Sequence, residues 1–190
     1  MEHGYQIHLA LADEIRELIK SPALVLGRGV LAGRPMSALP KAWRSLRLLL
    51  SEPDPVTGDS FEAVYEEGTP LSEAQAPSAR LFYPRHVKRL HRILSGWDQT
   101  RLYRRFQEQM MSSTVADSHW IGDDGWCDSI GWDDESDSLA PDDWTVEEAE
   151  EFECLADMLE RLAQFVGKAA SGGQGIVWVN TPGGDSPDRI

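Results

Sequence analysis

The chain has 190 residues, a mass of 21.2 kDa, 41% hydrophobic residues and seven tryptophans, which excludes a disordered chain and predicts one domain with its own core. Its net charge of -14 is lopsided: residues 1–110 carry 15 Lys and Arg against 13 Asp and Glu, whereas residues 111–190 carry 3 against 19. That balance excludes nucleic acid as a partner of the acidic half, because binding it takes cations to displace its counterions.

No apolar run approaches the ~20 residues that span a bilayer, so no membrane partner is expected. Met1-Glu2-His3-Gly4-Tyr5 has neither the basic nor the apolar region of a secretory signal. Together with only two cysteines, Cys127 and Cys154, this predicts free thiols in a cytoplasmic protein.

Tyr5 to Leu9 alternates like a half-buried strand. Ala12–Lys20 follows as a short amphipathic helix, acidic at its start and basic at its end, and Ser21-Pro22 stops it. Residues 23–36 are apolar and Gly-rich. Gly27-Arg28-Gly29 lacks the spacing and the terminal Lys of a phosphate loop. Ser37 to Leu50 is predicted as a helix, with Pro40 tolerated in its first turn and Trp43, Leu46, Leu49 and Leu50 as its apolar stripe. Arg44 and Arg47, three apart, read as a solvated face.

Residues 51–78 read as loop, punctuated by six Pro and Gly, with a short strand at Phe61–Tyr65. Ala79–Tyr83 reads as a strand. Pro84–Ser95 reads as a helix with Val87, Leu90, His91 and Leu94 inward. Asp98 caps a further helix from Gln99 to about Met111, with Leu102, Phe106 and Met110 on one face. His86, Lys88, Arg89, Arg92, Arg101, Arg104 and Arg105 make these two helices the basic part of the chain, and they are expected to pair with the acidic half.

Asp117 to Trp144 stands apart. Trp120, Trp126 and Trp132 recur every six residues among Asp123, Asp124, Asp128, Asp133, Asp134 and Glu135, with no basic residue between. A segment this long without regular structure is often functional. Two readings compete: Trp anchors ringed by carboxylates that grip a partner, or one or two Trp that plug the core while the acids are merely solvated.

Thr145-Val146-Glu147-Glu148 is a capping box, and the apolar residues after it, from Ala149 through Phe152, Leu155, Leu159 and Leu162 to Val166 and Ala169, step by three and four. Ser171-Gly172-Gly173 ends this long helix, and Gly175–Asn180 reads as a terminal strand.

Asp133, Glu135 and Asp137 alternate as in an EF-hand, but Ser138 occupies the Gly position and Trp144 the Glu position. His119, Asp123, Asp124, Cys127 and Asp128 lack zinc spacing. No Gly-x-Ser-x-Gly occurs. Cys154 falls inside the long helix as a packed residue, and His8, His86 and His91 read as packing residues. No catalytic residue, metal site or cofactor is therefore expected.

Leu39-Pro40-Lys41-Ala42-Trp43-Arg44-Ser45-Leu46-Arg47-Leu48-Leu49-Leu50 resembles the Lys-Ala-Trp-x-x-Leu-x-x-Leu-Leu helix of the YfbM-like family of bacterial proteins of unknown function. Ala79 to Val87 resembles its Ala-Arg-Tyr-Leu-x-Pro-x-x-Val junction. The resemblance, carried in order over most of the chain, implies a single α+β domain and brings no activity or site residues. The Gly-rich stretch 23–36 and the acidic Trp segment depart from the family pattern.

These readings together predict one α+β domain over residues 1–190. Its small sheet, of strands 5–9, 79–83 and 175–180, is packed by four or more helices, and the strand order is not readable. The functional expectation is a non-enzymatic cytoplasmic protein-binding module, of the immunity or antitoxin type. It would bind a basic protein such as a toxin through Trp120, Asp123, Asp124, Trp126, Asp128, Trp132, Asp133, Asp134 and Glu135. The alternative is an enzyme or small-ligand binder with its pocket between the basic helix pair and Trp43.

Overall fold

A computed structural model of the chain describes residues 4–20, 36–39, 43–54, 58–71, 79–112 and 144–181. In chain order they form β1 (Gly4–Ala10), α1 (Ala12–Lys20), β2 (Met36–Leu39), α2 (Trp43–Leu49), α3 (Phe61–Glu66) and β3 (Thr69–Pro70). Then come β4 (Ala79–Phe82), α4 (Pro84–Ser95), α5 (Gln99–Ser112), α6 (Val146–Ser171) and β5 (Gly175–Thr181).

The strands make one antiparallel sheet in the order β2-β1-β5-β4-β3. The three expected strands are its centre, and β2 and β3 are its edges. Successive side chains of a strand point to opposite faces, so the register sorts the sheet into two layers. Ile7 lies opposite Trp178, Leu9 opposite Ile176, and Phe82 opposite Ile176 from the other side. These residues join the main core, with Trp43, Leu46, Leu49 and Leu50 from α2 and its end, and with the buried faces of α3 to α6. Val177, Val179, Leu81, Ala79 and Ala10 face the opposite way, where Ile15 and Leu18 of α1 cover them. Among the described residues this is an α+β fold with one helix on one face of the sheet and five on the other.

The longest helix starts and stops as its sequence dictates. Thr145 Oγ1 accepts from the Glu148 amide at 3.2 Å, and the Glu148 carboxylate accepts from the Thr145 amide at 2.8 Å. At the far end Gly173 adopts φ 61°, a left-handed conformation that favours glycine. Its amide donates to the Ala170 carbonyl while the Gln174 amide donates to that of Ala169, which closes a Schellman motif. The 26 residues of α6 span about 39 Å. Phe152, Leu155, Met158, Leu159, Leu162, Val166 and Ala169 are buried along it, and α4 packs against it.

β5 enters the sheet through a tight gap. A Cβ on Gly175 would stand 2.8 Å from the Phe82 carbonyl oxygen and 2.9 Å from Ile15 Cδ1. Only glycine lets β5 pass between β4 and α1 there.

Two predicted elements are corrected. The helix expected over 37–50 does not include 37–39: Met36–Leu39 pairs with β1 (Tyr5 opposite Leu39, His8 opposite Met36), and the described helix is Trp43–Leu49. Leu39 precedes a proline, whose ring disfavours helical φ/ψ in the residue before it, and the ladder to β1 takes up the extended segment. The strand expected at Phe61–Tyr65 is helix α3. Ser60 caps it, its Oγ accepting from the Ala63 amide at 3.1 Å, and Phe61 and Val64 bury one side. In α4 the buried set is His86, Val87, Leu90, Ile93 and Leu94, while His91 is half-buried.

No helix among the described residues is long and apolar enough to cross a membrane.

Candidate functional site

The residues predicted to bind a partner, Trp120, Asp123, Asp124, Trp126, Asp128, Trp132, Asp133, Asp134 and Glu135, lie outside the described residues. The structure instead shows how the acidic segment is framed. It leaves from the end of α5 at Ser112 and returns at Trp144, one residue before the α6 cap. Trp144 is half-buried, and its ring stacks on Tyr103 of α5 at 5.1 Å and 17°. It also meets Phe106 at 5.3 Å and Phe152 of α6 at 5.4 Å, edge-on to the latter. One of the four tryptophans of the segment thus plugs the seam between α5 and α6. Spacing alone did not separate it from the other three. Its place directly before the capping box was the available signal, since a residue there commonly packs back on the helix.

The first turns of α6 are acidic as well, with Glu147 and Glu150 exposed. Glu151 is different. Its Oε1 is buried with no hydrogen-bond partner among the described residues. Burial, and then the charge of Glu148, push its carboxyl above the usual range.

Among the described residues, the carboxylate partners of the basic helix pair lie in the same half of the chain. Arg89 of α4 holds Asp59 through Nη2 at 2.7 Å and Nε at 3.3 Å, and reaches Glu67 through Nη1. On α5, Arg101, Arg104 and Arg105 converge on Glu52 at 3.7, 3.3 and 3.4 Å. The Arg101 guanidinium also lies 4.2 Å over the Trp97 ring, and Arg105 pairs with Glu108 at 2.7 Å.

Arg47, read as solvated, is engaged as well. It makes a two-pronged contact with Glu62, touches Glu66, and lies 4.2 Å over the Tyr65 ring. Arg80 closes the same knot, bonding the Glu66 carboxylate at 3.0 Å and the Gly68 carbonyl at 3.2 Å. The side chain of Arg44 is outside the description. The pairings described for these arginines therefore run to carboxylates between residues 52 and 108, not to the acidic half as expected. Their hydrogen bonds hold Glu62 and Asp59 below the usual carboxylate range, so both stay ionised and serve as counter-charges, not as proton donors near neutrality.

The three described histidines, His8, His86 and His91, sit in packed surroundings. His8 is buried on the α1 face of the sheet, and burial lowers its pKa. His91 lies against Gly167 of α6, its ring within 3.1 Å of where a Cβ would stand, with Ser95 Oγ 3.3 Å from Nδ1. His86 is buried at the head of α4. Cys154 is buried in α6. Trp43, required at a pocket wall by the ligand-binding alternative, is wholly buried, 4.7 Å from the Trp178 ring and 5.4 Å from Phe61.

No family model matches the chain, and no curated protein matches it in sequence. Among solved structures the chain is similar to one described as the crystal structure of a protein of unknown function, YfbM, from Escherichia coli. The TM-score is 0.56 over 94% of this chain and 99% of that one, at 15% identity. At that identity the likeness shows a shared fold and speaks to nothing else.

Proposed function

We propose that this chain is a non-enzymatic cytoplasmic binding module whose acidic, Trp-rich segment 117–144 engages a basic protein, in the manner of an immunity or antitoxin-type inhibitor of a toxin. The observation that carries the reading is the distribution of charge. Residues 111–190 hold 19 acidic side chains against 3 basic ones. In the other half, Arg47, Arg80, Arg89, Arg101, Arg104 and Arg105 are matched to carboxylates of residues 52–108. An acidic surface left with little internal compensation attracts a cationic partner and speeds the encounter. Trp120, Trp126 and Trp132 then supply the apolar anchors that concentrate binding energy.

The test uses the intact chain as bait in extracts of its own host, at low and moderate salt. A second bait carries Asp123, Asp124, Asp128, Asp133 and Asp134 changed to Asn and Glu135 to Gln. One basic protein retained in stoichiometric amount by the first bait and lost from the second is the expected result. Equal retention by both baits, or by a chain lacking residues 120–137, would refute the assignment of the interface. An absence of any basic protein from the eluate would count against the function itself.

A further inference from the structure

His86 lies at the start of α4 beside the end of α3, and its ring is caught between opposing charges. It is the third residue of α4, and its side chain is 5% exposed. Arg85 Nε donates to His86 Nε2 at 3.1 Å. An acceptor nitrogen carries no proton, so the ring is neutral with its hydrogen on Nδ1. That Nδ1 is buried with no hydrogen-bond partner among the described residues. Glu67 Oε2 stands 3.9 Å from Nε2, too far for a hydrogen bond, because Arg89 holds it. The Tyr83 ring meets the imidazole edge-on at 5.8 Å. Asp59 stands one step further away, on the other side of Arg89. Among the described residues the charges that act on the ring are those of Arg85 and Arg89 from its own helix and Glu67 from the end of α3. α6, β4 and β5 also pack on α4 and add no charge that acts on it.

We propose that His86 is a proton-operated latch between α3 and α4: on taking up a proton its ring expels Arg85 and draws Glu67 away from Arg89. The first half follows from donor counting. A protonated Nε2 donates, so it cannot accept from Arg85, and two cations then face each other at hydrogen-bond distance. The second half follows from position. Among the described residues Glu67 is the one carboxylate in reach of the new donor, and closing from 3.9 Å to hydrogen-bond distance takes about 1 Å. Glu67 also ends α3, its amide donating to the Ala63 carbonyl at 3.3 Å. A pull on Glu67 is therefore a pull on the helix whose Phe61 and Val64 lie in the core and whose Glu62 and Glu66 hold Arg47 and Arg80. Burial opposes the protonated state, Arg85 opposes it further, and Glu67 favours it. The latch consequently stays shut at neutral pH and opens on acidification below about 6.5, the ordinary histidine value.

The experiment follows the His86 ring Cε1–H by NMR against pH in the intact protein, alongside the amide-exchange protection of Phe61–Glu66. The expected midpoint is below 6.5; it rises in Arg85→Gln and falls in Glu67→Gln. Protection of α3 drops by up to tenfold per pH unit through the titration, and His86→Gln abolishes that step. A midpoint at or above 6.5, a midpoint unmoved by either charge substitution, or α3 protection flat across the titration would overturn the latch. Should His86→Gln not fold, the two charge variants and the native profile still decide the matter.

Discussion

Truncating Trp144 to alanine tests how the acidic segment is tied to the fold. The indole is half-buried and meets Tyr103, Phe106 and Phe152 at 5.1 to 5.4 Å. A fully buried Trp removes roughly 200 Å² from water. Half of that, at about 25 cal/mol per Å², is worth ~2.5 kcal/mol. Ring pairs add about 0.5–1.5 kcal/mol each beyond area, though the wound left by a half-exposed residue partly fills with water. The expected loss is therefore ~3 kcal/mol, near the lower end of aromatic-to-alanine changes in cores. Urea unfolding followed by circular dichroism measures it, and at a slope of about 1–3 kcal/mol per M the midpoint falls by ~1 M or more. Trp144→Phe, which preserves a ring in the seam, is expected to lose less than half as much. A cost under ~1 kcal/mol for Trp144→Ala, with the slope unchanged, would refute the idea that this residue pins the segment between α5 and α6.

Glu151→Gln is expected to stabilise the protein near neutral pH. The folded carboxyl titrates above its ordinary value, so its contribution is present in acid and is lost as pH rises through the folded value. The gain from Gln should shrink toward zero in acid, as read from melting temperatures at pH 4 and pH 7. Gly175→Ala is expected to cost about 1–3 kcal/mol, the range for overpacking, since its Cβ meets backbone at the Phe82 carbonyl. A melting point unchanged by it would mean that β5 does not enter between β4 and α1 as described.

Local chemistry was the legible part of this fold. The Thr145–Glu148 box, the three-and-four spacing from Phe152 to Val166 and the glycine pair at 172–173 each act within a few residues, and α6 forms accordingly. The Asp98 cap behaves the same way, accepting from the Arg101 amide at 2.8 Å. At Met36–Leu39 the decision belongs to β1, some 30 residues earlier in the chain, whose ladder the local sequence does not announce. At Phe61–Tyr65 two periods coexist. Phe61, Ala63 and Tyr65 alternate as in a strand, while Phe61 and Val64 are spaced as in a helix, and the Ser60 cap settles it. The arginine partners were illegible for a further reason: charge can be counted along a chain, but Glu52 meeting Arg105 depends on how α2 lies against α5. The acidic tryptophan segment was conspicuous as composition, and of its residues only Trp144 carries a described role.

The strand order also sets a timetable. β5, the middle of the sheet, is the last of the described elements in chain order, whereas both strands that flank it, β1 and β4, precede α6. A growing chain therefore holds two hydrogen-bonding edges open until residue 181 clears the ribosome, and exposed edges of this kind pair with the wrong neighbours. Closing the sheet joins β1 to β5 across some 170 positions, a contact whose loop entropy slows folding. The chain must be made through β5 before its core can close, and a chain broken off after α6 leaves a sheet in two halves with nothing between them.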